Sequence, residues 1–350
     1  MYYASIGHYG TGFTNQIFSL ITHIILAYKR NEKVIVVDGF LDDIHQTTYT
    51  PLADIFNLPQ LNLFLKKTYN ILIIDKDKIH FEILSAYYGT ADTYLDITDF
   101  FKQYTHALVI PKHYPFNSIQ GDPCPGIVKQ CTLTYRIHGY VVEEIYPENM
   151  LHDIRMDKKG PYTYTFGWMN SLNETMFTDI LQHITYHEEF IVKANINVIH
   201  SKINVIHLRV EDDAIAHWSK QNHMTPHDFK TYVEDKYIHL IKTYLSKDEE
   251  TILLSSSLSN RVIDFLKEHE YPYTCTHKYF KEREKNAIVD LLVATRCNHI
   301  FIGNFNVATR NGSSFSYYIG KQLQKNVKHI YIDLDNINAP EVFDKFHNDC

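Results

Sequence analysis

The stretch Ile203-Asn204-Val205-Ile206-His207-Leu208-Arg209 decides how this chain is read. Ile203–Leu208, with Ile203, Val205, Ile206 and Leu208 around Asn204 and His207, reads as a strand. From there strand and helix patterns alternate. Thr225-Pro226 opens a helix running to about Leu245, with Thr as N-cap and Pro at the first helical position. Thr251–Leu254 reads as a strand, Ser259 caps a helix to about His269, and Tyr273–His277 reads as another strand. Glu284–Arg296 is helical, His299–Ile302 extended, Ser313–Leu323 helical, and Val327–Leu334 the last strand. This alternation predicts an α/β fold with a mostly parallel, doubly wound sheet. Ligands of such sheets bind beyond the carboxyl ends of the strands, so strand-ending residues are the ones to inspect for chemistry.

Upstream, Tyr2–Ile6 reads as a strand, Gly7, Gly10 and Gly12 as a loop, Asn15–Arg30 as a helix and Lys33–Val37 as a buried strand. That is a βαβ opening. Further strands are expected at Ile71–Ile74, Ala107–Ile110 and Gly139–Ile145, and Gly121–Gly126 must loop. Thr175–Ile184 is helical and Tyr186–Phe190 reads as a polar loop. The pattern changes near residues 187–202, and with 350 residues two domains are expected, 1–195 and 196–350.

Composition narrows the function. Charged residues make up 21% and hydrophobic ones 45%, so the chain is neither disordered nor a coiled coil. A net charge of −7 argues against a nucleic-acid or anionic-membrane partner, which would want a basic stripe. Cys124, Cys131, Cys275, Cys297 and Cys350 are scattered and form no zinc-like cluster, which reads as reduced thiols. The apolar run Phe18–Tyr28 is too short to span a bilayer and no basic n-region precedes it. A soluble chain in the cytoplasm or another reducing compartment is expected. Asn173-Glu174-Thr175 matches a glycosylation sequon, read as chance.

Three positions stand out. The loop Gly10-Thr11-Gly12-Phe13-Thr14-Asn15-Gln16 precedes a helix, whose free N–H groups favour an anion or a polar sugar. The full dinucleotide fingerprint is absent, since position 15 is Asn. His207-Leu208-Arg209 ends a strand, where a planar guanidinium can grip a phosphate. Glu211, Asp212 and Asp213 follow; they can orient that arginine, accept a proton, or hold a divalent metal on a diphosphate. Asn311-Gly312-Ser313-Ser314-Phe315-Ser316 opens a helix, where small hydroxyl residues serve as caps or as phosphate ligands. Upstream, Asp290 interrupts the apolar run Ile288–Leu292; it either lies on a solvated face or accepts from the N–H edge of a guanine.

In this order and spacing the three pieces resemble the fucosyltransferase superfamily of GT-B fold, which includes the α1,2-, α1,6- and protein O-fucosyltransferases. The α1,2 branch has a G-x-G-N-Q-like loop, matched here with Phe13 and Thr14 inserted before Asn15-Gln16. The superfamily's H-x-R is matched by His207-Leu208-Arg209, and its late S-S-F-S motif by Ser313–Ser316 after Asp290. Residues 40–195 carry no such match. The resemblance implies two Rossmann-like domains facing a cleft, a GDP-sugar donor (GDP-fucose), a glycan or protein acceptor, and inverting transfer without a metal or other cofactor. It implies that Arg209 binds the β-phosphate, and that Ser313, Ser314 and Phe315 hold the diphosphate. Asp290 and the His207 region would contact guanine or ribose, and Asn15, with Gly10, Gly12 and Gln16 of its loop, the donor. There are departures. A second arginine is replaced by Val210, an expected Asp after Thr251–Leu254 by Ser255-Ser256-Ser257, and a glutamate of the α1,6 branch by His217. Ser256 and Ser257 can still hydrogen-bond a ribose, and the base is left among Asp212, His217 and residues of the N-terminal half. Two alternatives stay open: an inactive nucleotide-sugar-binding or interaction protein with this fold, and a transferase for another nucleotide sugar.

Overall fold

The computed structural model describes residues 1–8, 10–42, 48–105, 108–137, 139–148, 152–154, 173–195, 201–255, 257, 259–306, 309 and 311–343. Contacts divide the chain into two compact units. One holds Met1–Gly7, Thr22–Phe40 and Tyr49–Thr163; the other holds His8–Ile21, Leu41–Thr48 and Tyr164–Cys350. Neither coincides with a continuous range such as 1–195 or 196–350.

The first unit begins with β1 (Tyr2–Ala4) and takes in the second half of α1 (Phe13–Lys29). β2 (Val34–Val37), α2 (Leu58–Tyr69) and β3 (Leu72–Asp75) follow. β1, β2 and β3 form a parallel sheet in that order. A second, antiparallel sheet was not expected: β4 (Phe81–Gly89), β5 (Tyr94–Asp96), β6 (Gln130–Ile137) and β7 (Tyr140–Pro147), in the order β7-β6-β4-β5. Its signal is a period of two. Cys131, Leu133, Tyr135 and Ile137 are buried on one face of β6, and the residues between them are less buried. The inner faces of both sheets share one core, with Val34, Val36, Phe81 and Tyr135 among its members. The expected strand at Ala107–Ile110 is seen as Leu108–Ile110.

The second unit opens with α3 (Glu174–His183) and α4 (Glu188–Lys193), the latter where the sequence reads as a loop. Its short amphipathic pattern buries only Phe190, too little to show in a periodicity count. Then come β8 (Ile203–His207), α5 (Asp212–Gln221), α6 (Pro226–Tyr244), β9 (Glu250–Leu254), α7 (Arg261–Glu268) and β10 (Tyr273–Cys275). α8 (Arg283–Ala294), β11 (Ile300–Gly303), α9 (Ser314–Gln322), β12 (Lys328–Tyr331) and β13 (Val342–Phe343) complete it.

The strand order is β10-β9-β8-β11-β12-β13, with all pairs parallel except β12–β13. The doubly wound α/β expectation holds here, apart from the antiparallel edge strand after β12. Thr225 caps α6 by accepting from Asp228 N–H at 3.1 Å. Phe229, Val233, Tyr237, Leu240 and Ile241 bury one face of that helix, each worth roughly 1.5–3 kcal/mol. α7 is capped by Asn260 rather than Ser259: the Asn260 amide oxygen reaches Ile263 N–H at 3.0 Å, one register further along.

Aromatic rings bind the first half of α1 into this unit. Phe18 lies 5.4 Å from Phe177 and 5.8 Å from Tyr317, centre to centre. Among the described residues no helix is long and apolar enough to cross a membrane. Cys124, Cys131, Cys275 and Cys297 are free thiols, and Cys350 lies outside the described residues.

Candidate functional site

Strand order reverses between β8 and β11, the switch point at which an open α/β sheet leaves a crevice beyond its carboxyl ends. β8 ends there at His207 and β11 at Gly303. A buried polar network fixes both ends. Asn304 donates to the His207 carbonyl at 3.0 Å and to the Tyr237 hydroxyl at 2.8 Å. Tyr237 in turn donates to the His207 carbonyl at 2.8 Å and accepts from Arg209 N–H at 3.2 Å. The turn that presents Arg209 is therefore held through its main chain.

His207 is buried, and burial followed by the nearby Arg209 charge pushes its pKa down to about 3. It is a neutral imidazole, not an acid–base group for neutral pH. Its Nδ1 lies 2.7 Å from Ser316 Oγ, which also accepts from Asn304 N–H at 3.0 Å. The Ser316 proton is thus free for Nδ1, an arrangement that leaves the ring proton on Nε2. Gly303 makes this possible. A Cβ there would stand 2.9 Å from Ser316 Oγ and 3.0 Å from the Phe301 ring.

Arg209 pairs with Glu211 at 3.3 Å and Asp213 at 3.4 Å, and Arg283 reaches Asp213 at 3.9 Å. Asp212, one of the candidate bases, is exposed at the start of α5, and its two acidic neighbours meet the arginine instead. His217 is exposed as well, its ring 5.4 Å from Trp218 and its Nε2 3.3 Å from the Gln221 amide nitrogen. Among the described residues, neither makes a hydrogen bond or ion pair with Arg209. Among the described residues, no three His, Cys, Asp or Glu side chains group as metal ligands.

Ser313 occupies the N-cap of α9, yet its hydroxyl makes no capping bond. Phe315 lies against His207, ring centres 4.9 Å apart. Ser314 Oγ meets Thr14 Oγ1 at 2.8 Å, which joins the glycine loop to this helix. Within that loop Gly10 has φ +83°, a conformation that favours glycine, and open space around it. Gly12 faces Glu284 Oε2, 3.7 Å from where a Cβ would stand. Glu284 is buried and accepts from Phe13 N–H at the start of α1, where a carboxylate suits the helix dipole. The sequence reading missed Glu284 and Thr14. A charge opening a helix reads as solvated, and nothing local marks a partner 271 residues away.

Gln16 is corrected from ligand-binding to structural. Its amide is fully buried, donating to Leu41 O at 2.9 Å and accepting from Leu41 N–H at 2.7 Å. Asn15 differs: its Oδ1 is buried with no partner among the described residues. Asp290 is half-buried beside Thr276, and desolvation pushes its carboxyl up to about 6. Ser257 is turned inward on its own loop, its N–H donating to Ser255 Oγ at 3.1 Å and its carbonyl accepting from Asn260 at 3.0 Å. Ser256 lies outside the described residues. The structure thus brings Arg209, His207, Phe315, Ser314 and the Thr14 loop into one connected set.

No protein-family model matches the chain, and no curated protein sequence does. Among solved structures it is similar to the fucosyltransferase NodZ from Bradyrhizobium, at 13% identity and TM-score 0.49, over 98% of this chain and 99% of that one. A second crystal structure, NodZ α-1,6-fucosyltransferase soaked with GDP-fucose, matches with the same values. POFUT1 in complex with GDP-fucose matches at 10% identity and TM-score 0.44, over 94% of this chain and 96% of that one.

Proposed function

We propose that this chain is a glycosyltransferase that moves fucose from GDP-fucose to a hydroxyl of a glycan or protein, with inversion and without a metal. The observation that carries the reading is the convergence, at the switch point, of Arg209, the uncapped start of α9 and the Thr14 loop. Phosphate oxygens take N–H groups, hydroxyls and a guanidinium together. In the proposed reaction Arg209 and the α9 N-terminus hold the diphosphate as its charge grows, while a base takes the acceptor proton. Asp290, ionised above about pH 6, accepts from the guanine N–H edge. Asn15 Oδ1, which has no partner among the described residues, accepts a hydrogen bond from the donor sugar.

A second reading is a nucleotide-sugar-binding module without turnover. The exposure of both Asp212 and His217 favours it, since a base must sit within hydrogen-bond reach of the proton it removes. A third is a transferase for another nucleotide sugar, favoured by the self-bonded Ser255–Ser257 turn. Thermal shifts with GDP, UDP and ADP separate the donors, because a ligand stabilises according to its concentration over its Kd. GDP release from GDP-fucose across an acceptor panel then separates enzyme from binder. Stabilisation by UDP or ADP but not GDP removes the guanine reading.

A further inference from the structure

One oxygen, Asp213 Oδ2, is shared by two guanidinium groups. It lies 3.4 Å from Arg209 Nη2 and 3.9 Å from Arg283 Nη2. The Asp213 side chain is 54% exposed and that of Arg283 40% exposed, whereas Glu211, the other partner of Arg209, is only 12% exposed. An exposed ion pair of this kind adds little to stability. What it does is occupy the space between two cations with a movable anion.

Arg283 is also tied to the phosphate elements by an unbroken series of contacts. It opens α8 directly before Glu284, whose carboxylate accepts from Phe13 N–H. Thr14, next in the chain, meets Ser314 at the start of α9. Arg209, Arg283 and the first turn of α9 therefore belong to one rim of the second unit. Take Asp213 away and Arg209 keeps Glu211 while Arg283 keeps Glu284, 3.9 Å from its Nε, but the Nη2 atoms of both guanidiniums face the position that Asp213 held.

We propose that Asp213 is a resident anion standing where a phosphate group of the nucleoside diphosphate goes, so that the ligand binds by displacing it and Arg283 is a second phosphate-binding arginine. The inference rests on the nucleotide-sugar reading above and adds to it a competitor built into the chain. Each guanidinium exchanges a carboxylate for phosphate oxygens, which it can grip with two parallel N–H groups. In the unliganded protein Asp213 offsets the charge of both arginines.

The test is calorimetry with GDP and with guanosine on the wild-type chain, Asp213→Asn and Arg283→Gln at low ionic strength. The asparagine removes the competing charge at an exposed position and keeps the shape, so GDP affinity is expected to rise about three- to tenfold. Arg283→Gln is expected to lower GDP affinity about tenfold. Guanosine, which has no phosphate, should bind all three within about twofold and serves as the control for folding. Unchanged or weaker GDP binding by Asp213→Asn overturns the proposal, as does an equal loss of guanosine and GDP in Arg283→Gln. If the wild-type chain binds UDP or ADP instead, the same shifts with that nucleotide sustain the proposal while the guanine reading fails. If it binds no nucleoside diphosphate, both fall.

Discussion

Thr14 Oγ1 and Ser314 Oγ lie 2.8 Å apart across 300 residues of sequence. One hydroxyl belongs to the first turn of α1 and the other to the first turn of α9, so two helix starts are fastened at the same place. A double-mutant cycle of Thr14→Val and Ser314→Ala should give a coupling of about 0.5–1.5 kcal/mol in chemical denaturation. Strict additivity would mean that the contact holds nothing.

Arg209→Ala should lower turnover of the donor by roughly 10²–10³, the usual cost of one group stabilising transition-state charge. Steady-state GDP release measures it, and turnover near wild type would remove the proposed role.

Transfer should survive EDTA, because in the proposed mechanism a guanidinium and a helix N-terminus offset the charge of the leaving diphosphate without a metal ion. Activity that disappears in EDTA and returns with Mn²⁺ would instead give Glu211, Asp212 and Asp213 a metal to hold.

Asp290 makes stability and binding respond to pH in opposite senses. Its folded pKa, about 6, lies above the ordinary 3.8, so its contribution to stability is full below about pH 3.8 and is lost as pH rises through about 6. Asp290→Asn removes that loss: the variant should gain stability over wild type above pH 6 and match it near pH 4. The proposed guanine contact needs the ionised carboxylate, so wild-type GDP affinity should fall by up to about tenfold per pH unit below 6. A weak, flat profile is expected for the variant. Parallel profiles in the two proteins would take Asp290 out of the base site.

Gly303→Ala should cost about 1–3 kcal/mol, since the added methyl meets Ser316 Oγ and the Phe301 ring inside ordinary contact distance. Ser316→Ala made in the same background should recover part of that loss. Denaturation curves of the single and double variants decide it.

The second unit was largely legible because its central strands are short, continuous apolar runs between helices with strong caps. Val205, Ile206, Leu253, Phe301 and Ile302 are all buried within such runs, and Thr225-Pro226 announces α6 outright. The antiparallel sheet of the first unit was not. Its strands mix exposed Tyr87 and Val141 with buried Tyr88 and Tyr140, and such alternation is weaker than a block of isoleucines. At the candidate site, motif order singled out Arg209, His207 and the Ser313–Ser316 helix start, which the fold brings together at the switch point. It did not find Arg283, Glu284 or Thr14, whose meaning lies in pairings made only by the fold. It also misassigned Gln16, because a buried amide serving one main-chain neighbour looks in sequence like any loop glutamine.

The grouping of His8–Ile21 with the later unit has a consequence for the chain as it is made. These residues leave the ribosome well before Glu284, Ser314 and Tyr317, which lie more than 250 residues later. At 5–20 residues per second the glycine loop waits roughly 15–60 s for its partners. Until then Phe18 lacks Tyr317, and the start of α1 has no Glu284 carboxylate to receive Phe13 N–H. A fragment beginning after Ile21 would carry the reverse defect, a buried Glu284 deprived of that donor. Supplying residues 1–30 as a separate peptide is then a complementation experiment in which recovered nucleotide binding reports the closing of the phosphate rim.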